Sequence, residues 1–162
     1  MEVIMDDGCT SAEIAEIAAV IWNECYPTII TQEQIDYMVG NYQSAAAIDN
    51  DIKNGYRYFA VRCDGGTAGY ISLLPEEDSV LLSKIYVLDR FRGTGVADKV
   101  MEFIRGFAEG KECISLNVAR TNYRAIAFYR KKGFVITGWM LKNIGDGFYM
   151  DDHVMKLFLP SH

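Results

Sequence analysis

Two arginines and two glycines ahead of a helical pattern make the first segment able to do chemistry, Arg90-Phe91-Arg92-Gly93-Thr94-Gly95-Val96-Ala97. The run before it, Val80 to Val87, reads as a strand. After it Val96, Val100, Phe103, Ile104 and Phe107 recur at helical spacing. A strand that turns through Gly93 and Gly95 into a helix aims backbone N–H groups and a positive helix end at one point. With Arg90 and Arg92 beside it, that point suits a phosphate or pyrophosphate. The same glycines also suit a tight turn with no ligand. Two nucleotide motifs are excluded. A dinucleotide fingerprint needs glycine three residues after Gly95, where Asp98 stands. A P-loop needs Gly-Lys followed by Ser or Thr, and Gly110-Lys111 is followed by Glu112.

Cys9, Cys25, Cys63 and Cys113 form no Cys-x-x-Cys pair, and the histidines, His153 and His162, are remote from them. This spacing argues against a structural metal site and for reduced, buried thiols. No metal is expected.

A second segment, Asn122-Tyr123-Arg124-Ala125-Ile126-Ala127-Phe128-Tyr129-Arg130-Lys131-Lys132-Gly133-Phe134, follows the glycine turn at a telling distance. Together with Arg90-x-x-Gly93-x-Gly95 it closely resembles the GCN5-related N-acetyltransferase (GNAT) superfamily. The resemblance covers about residues 56–159 in strand order and is strongest over 81–134. It implies an α/β (α+β) fold: a mixed, mostly antiparallel central sheet flanked by helices. A V-shaped opening is expected between the fourth strand, Ser83–Val87, and the fifth, Ile114–Val118. It also implies acetyl-CoA as cosubstrate in that opening. Backbone of Ile85, Tyr86 and Val87 would pair with the pantetheine. The amides of Arg90, Arg92, Gly93, Thr94, Gly95, Val96 and Ala97 would hold the pyrophosphate. Asn117 and Asn122 would contact the coenzyme, and the Tyr129 hydroxyl would point at its sulfur. By the same resemblance an amine attacks the thioester directly, the Val87 N–H receives the oxyanion and Tyr129 protonates the thiolate. Tyr129 could instead be a core aromatic, because Ile126 to Tyr129 spans one helical face, but in this motif the catalytic role is favoured. Arg124, Arg130, Lys131 and Lys132 are further candidates for the coenzyme phosphates.

The chain departs from the family where many relatives carry a fourth-strand glutamate as general base. Leu81-Leu82-Ser83-Lys84-Ile85-Tyr86 contains no acid. Glu24, at the break between the first two helices, is taken as the candidate base; Glu33, Asp36, Asp151, Asp152 and His153 are the others. Trp22, Tyr26, Tyr37 and Tyr149, with Asp152, are candidates to receive a cationic acceptor, since aromatic faces attract cations. Those aromatics would also serve to fill a core or a dimer contact.

The elements that must position these residues are legible around them. Thr10 caps a helix carrying Ile14, Ile17, Ala18, Ile21 and Trp22 and ended by Pro27; Thr31 caps a second, and Ser44 to Ile52 is a third turn or helix. Tyr56–Arg62, Thr67–Leu73 and Val80–Val87 read as antiparallel strands, followed by the helix 95–109, the strand 114–118 and the helix 123–132. Gly133 stops that helix, and two strands close the chain at about 134–142 and 153–159.

The chain has 162 residues, 50% hydrophobic and 23% charged, which predicts one domain over 1–162. A net charge of −6 argues against a general nucleic-acid binder. Residues 1–81 hold three basic and fourteen acidic residues; residues 82–162 hold thirteen and eight. The basic half suits a phosphate-bearing coenzyme and the acidic half an amine. No signal-like start and no bilayer-length apolar run are present, so a cytoplasmic monomer or homodimer, with no membrane or nucleic-acid partner, is expected. Two functions stay open: an N-acetyltransferase acting on a small-molecule or peptide amine, and a non-catalytic acetyl-CoA-binding sensor or scaffold.

Overall fold

The structure is a computed structural model that describes residues 1–160; His162 lies outside them. Seven strands form one sheet in the order β1-β2-β3-β4-β5-β7-β6. They are β1 (Val3–Asp6), β2 (Arg57–Cys63), β3 (Gly66–Pro75), β4 (Ser79–Val87), β5 (Cys113–Ala119), β6 (Val135–Gly145) and β7 (Phe148–Phe158). Every neighbouring pair is antiparallel except β4 and β5. The helices are α1 (Ser11–Cys25), α2 (Gln32–Tyr42), α3 (Ala45–Lys53), α4 (Val96–Phe107) and α5 (Tyr123–Lys131). The hydroxyls of Thr10 and Thr31 cap the first two helices as their positions in sequence predict, and that of Ser44 caps the third.

The sheet divides two unlike cores. On one face α4 and α5 pack an aliphatic cluster built on Val61, Ile71, Val100, Ile104, Leu116 and Met155. On the other, α1 to α3 pack Ile14, Ile21, Trp22, Ile35 and Ile48 against Tyr58, Tyr70 and Tyr86. The first core is oil-like; the second is threaded with hydroxyls.

Two features of the strands went unread in the sequence. β1 is a four-residue edge strand, too short for a period to register, whose Val3 and Met5 rest on the aliphatic core. The last hairpin turns at Asp146-Gly147, where φ values of +52° and +79° match a type I′ turn, so both strands run further towards it than 134–142 and 153–159.

The decisive feature is where β4 and β5 part. They pair only over Ser79–Leu81 and Cys113–Ser115; beyond that β4 pairs with β3 alone and β5 with β7 alone. The expected V is present, with its inner backbone edges facing a gap. Just inside the V the register of β3 on β4 slips: Ser72 faces Lys84 but Leu73 faces Leu82, leaving Ser83 as an extra residue. This bulge turns Leu82 towards the aliphatic core and Lys84 and Tyr86 towards the aromatic one.

Candidate active site

A cavity of about 1470 Å³ fills the V and runs from the α4 turn to the floor beneath α2 and α3. It is larger than the roughly 300–1,000 Å³ usual for one small ligand. The end at the α4 turn is made by backbone. Leu88 leads β4 into a short 3-10 turn, Asp89–Phe91, and Gly93 and Gly95 take φ of +73° and +92° before α4 begins. Those left-handed conformations are nearly free only for glycine. They leave the first amides of α4 without a side-chain cap, as an anion site requires.

Ile85, Tyr86, Val87, Arg92, Gly93, Gly95, Ala97, Asn117, Asn122 and Tyr129 all line the cavity. Three of the expected turn residues contribute otherwise. The Arg90 guanidinium lies on the Phe91 ring, 5.0 Å from its centroid, and does not line the cavity; Arg92, Arg124, Lys131 and Lys132 do. The Thr94 hydroxyl donates to the Phe91 carbonyl and closes the turn. The Val96 side chain is wholly buried in the aliphatic core, so only its backbone is at the turn. Asn122 caps α5 by accepting the Ala125 N–H at 3.3 Å.

Tyr129 is set by α5 with its ring against Phe128 and Phe134. The ring is buried, yet the residue lines the cavity and its hydroxyl has no hydrogen-bond partner among the described residues. Burial raises its pKa, which keeps the phenol protonated. The Tyr26 and Tyr86 phenols are also raised, by burial first; Tyr86 and Tyr129 add to the shift of Tyr26, and Tyr70 and Tyr129 to that of Tyr86.

The other end is made by side chains. Trp22 stacks on Tyr26 with centroids 4.2 Å apart and meets Tyr86 at 5.4 Å. The Trp22 indole N–H donates to the Tyr70 hydroxyl, which donates to Gln43 Oε1 at 2.8 Å. Tyr149 stands half-exposed at the rim. Tyr37 does not take part in the pocket: its hydroxyl donates to the Ile144 carbonyl at 2.6 Å and its ring packs on Phe148, tying α2 to the last hairpin. Glu24 lines the cavity, but its carboxylate accepts the Asp89 N–H at 3.2 Å and so braces the turn.

Two buried ionisable side chains stand on opposite walls. Lys84 donates to the Tyr42 carbonyl at 2.7 Å and lies 3.7 Å from Asp51; burial lowers its pKa to about 8. Asp152, on β7 opposite Ala119, is 4% exposed, and burial with Asp151 beside it raises its pKa to about 6. Lys84, Asp51 and Gln43 were not among the candidate site residues. The bulge at Ser83 had hidden Lys84, because it breaks the alternation that would place an inward-facing lysine between Leu82 and Tyr86.

An acetyltransferase (GNAT) domain model matches residues 54–136. An uncharacterized N-acetyltransferase of Mycobacterium bovis is 32% identical over 147 residues, covering 88% of this chain and 94% of the relative. The chain belongs to the GNAT acetyltransferases. Solved GNAT-fold structures agree in architecture. A PaiA N-acetyltransferase from Thermoplasma acidophilum, in complex with coenzyme A, is 18% identical with a TM-score of 0.77, covering 98% of this chain and all of the other. A yncA structure from Salmonella typhimurium with its cofactor acetyl-CoA is 20% identical with a TM-score of 0.65, covering 99% and 95%. In this GNAT chain no described helix is long and apolar enough to cross a membrane. No three described His, Cys, Asp or Glu side chains are grouped to hold a metal ion.

Proposed function

We propose that this GNAT protein moves the acetyl group of acetyl-CoA to a primary amine, small or peptidic, by direct attack on the thioester. The observation that carries the reading is the splay of β4 from β5 with the Tyr129 phenol, unpartnered and protonated, lining the gap. The residues present fit acetyl-CoA as substrate. The open β4 edge at Ile85–Val87 offers amide partners to the pantetheine, and the Gly93–Ala97 turn offers N–H groups to the pyrophosphate. Asn117 and Asn122 face the same channel, and Arg124, Lys131 and Lys132 flank its coenzyme end.

In this mechanism the Val87 N–H stabilises the oxyanion as the amine adds to the thioester carbon. The C–S bond then breaks, and the thiolate takes the Tyr129 proton. A buried phenol with a raised pKa returns to the protonated state readily after each turnover. The acceptor enters from the aromatic side, past Tyr149, where Trp22 and Tyr26 offer ring faces to a cation.

The test is release of coenzyme A thiol from acetyl-CoA with a panel of polyamines, amino acids, aminoglycosides and peptides. Release with at least one amine is the expected result. Tight acetyl-CoA binding with no release for any acceptor would instead make the chain a coenzyme-binding sensor or scaffold.

A further inference from the structure

An amine acceptor arrives as an ammonium with a pKa near 10.4 and must lose a proton to react. The usual place for the group that takes it, the acceptor face of β4, holds Lys84. Six acids line the cavity: Glu24, Asp51, Asp89, Asp98, Asp151 and Asp152. Five are already engaged. Glu24 accepts the Asp89 N–H, and Asp51 takes the Tyr58 hydroxyl at 2.6 Å and faces Lys84. Asp89 pairs with Arg92 and Arg124, and Asp98 with Lys132. Asp151 accepts the Trp139 indole N–H and pairs with Arg120. Asp152 alone has no hydrogen-bond or ion-pair partner among the described residues, although it is among the four buried polar or charged side chains. An unpaired carboxylate at that depth is costly and calls for a partner that comes and goes.

Its place in the sheet fits one. β7 pairs with β5 without a register slip from Cys113 to Ala119, so Asp152 shares the sheet face of Asn117 and Ala119. That is also the face of Met150, which packs on the aromatic core, whereas Tyr129 belongs to the aliphatic core on the other face. Resting on the acetyl-transfer reading above, we propose that Asp152 is the general base, receiving the acceptor's proton from the aromatic side while Tyr129 gives one to sulfur from the opposite side. The Asp152 carboxylate takes one ammonium proton and the freed nitrogen lone pair forms the C–N bond. As the C–S electrons leave with sulfur, which takes the Tyr129 proton, the adduct nitrogen loses its second proton, which through solvent restores the Tyr129 phenol, and Asp152 releases its own proton to solvent. Glu24 is thereby relieved of that role. The charged and titratable groups around Asp152 are Asp151 and His153 on β7, Lys142 on β6, Arg120 after β5, and Lys84 and Tyr86 across the V. Only Asp151 pushes on its titration in addition to burial.

The experiment is the pH profile of kcat/KM for wild type and Asp152→Asn with the best amine of the panel, with coenzyme A affinity measured in parallel. Wild type is expected to lose activity with unit slope below about pH 6. Asp152→Asn should be down about 10²-fold at pH 7. Its rate should keep rising with unit slope towards the pKa of the amine, with coenzyme A affinity unchanged. Asp152→Glu should recover part of the rate and restore an acidic limb, which excludes misfolding as the cause of the loss. A variant whose profile keeps the wild-type acidic limb, or which changes KM alone, overturns the assignment. Failure of wild type itself with every amine, while coenzyme A still binds, overturns the transfer reading instead.

Discussion

The two ends of the cavity are built by different means. The coenzyme end is backbone: an open strand edge, two left-handed glycines and the first amides of α4. The acceptor end is side chains: Trp22, Tyr26, Tyr86, Lys84 and Asp152, drawn from helices and strands far apart in sequence. A backbone site constrains the chain locally, because amides can converge only where the turn permits. A side-chain site constrains only what meets in space. Changes at the first end should therefore act through conformation, and changes at the second through charge.

The sharpest way to break the backbone end lies one strand behind it. Gly69 on β3 faces Val87, and a Cβ there would stand 2.0 Å from the Tyr86 carbonyl oxygen. The atoms it would meet belong to the β4 backbone, so Gly69→Ala must push β4 off β3. We expect a loss of at least about 3 kcal/mol in chemical denaturation. An unchanged midpoint would mean that the β3–β4 edge is soft and that the backbone end is not held rigidly.

Next in size is the junction of the two ends. Tyr129→Phe keeps the ring in its contacts with Phe128 and Phe134 and removes only the hydroxyl, which has no described partner to strand. Turnover should fall about 10²-fold, equivalent to about 2.7 kcal/mol of barrier, while coenzyme A affinity and stability stay put. Unchanged turnover would remove Tyr129 from the chemistry and leave it as a core aromatic.

The acceptor end should also show its cost in stability. The Asp152 carboxyl titrates at about 6 in the fold against 3.8 in its reference state. The folded protein therefore binds the extra proton between about pH 4 and 6. Its stabilising effect is complete below pH 4, fades as pH rises through 6 and is gone at pH 7, where the buried charge is fully paid. Asp152→Asn removes that charge and should raise stability at pH 7 by about 1–2 kcal/mol, less than the full shift because the amide also lacks partners. Thermal unfolding at pH 7 and pH 4 checks this: the variant's advantage should shrink at the lower pH. Loss of activity with a gain in stability is the mark of a group kept for function.

The same contrast explains what the sequence made legible. Arg90-x-x-Gly93-x-Gly95 and Asn122 to Phe134 could be read because turn and helix geometry writes itself into adjacent residues, as do the caps at Thr10 and Thr31. The V was expected between the right strands because the resemblance those two segments carry implies it. Tyr37 was misassigned to the pocket because an aromatic on a helix looks the same whether it faces a ligand or, as here, a strand carbonyl. Arg90 was set beside the turn by adjacency, whereas its guanidinium folds back on Phe91. Lys84 and the isolation of Asp152 were invisible for a deeper reason. One depends on a one-residue slip between strands, the other on which of six acids finds a partner.

The smallest of the expected effects is carried by Lys84, and it tests whether the acceptor end works by charge. Its ammonium is buried against the Tyr58 ring, 5.3 Å from the centroid, and balanced in part by Asp51. At pH 7, below its pKa of about 8, it is mostly charged and opposes a second cation entering the cavity. Lys84→Met keeps the length of the stem and removes that charge, while Asp51 retains the Tyr58 hydroxyl. KM for a cationic amine should fall about threefold to tenfold, the size expected of one partly screened like charge at moderate distance. The change should shrink in 1 M salt and nearly vanish at pH 9, where wild-type Lys84 is itself largely neutral. A KM that instead rises would mean that Lys84 grips the acceptor, through a carboxylate or other anion at its far end. The acidic half of the chain would then be receiving a zwitterion instead of a simple cation.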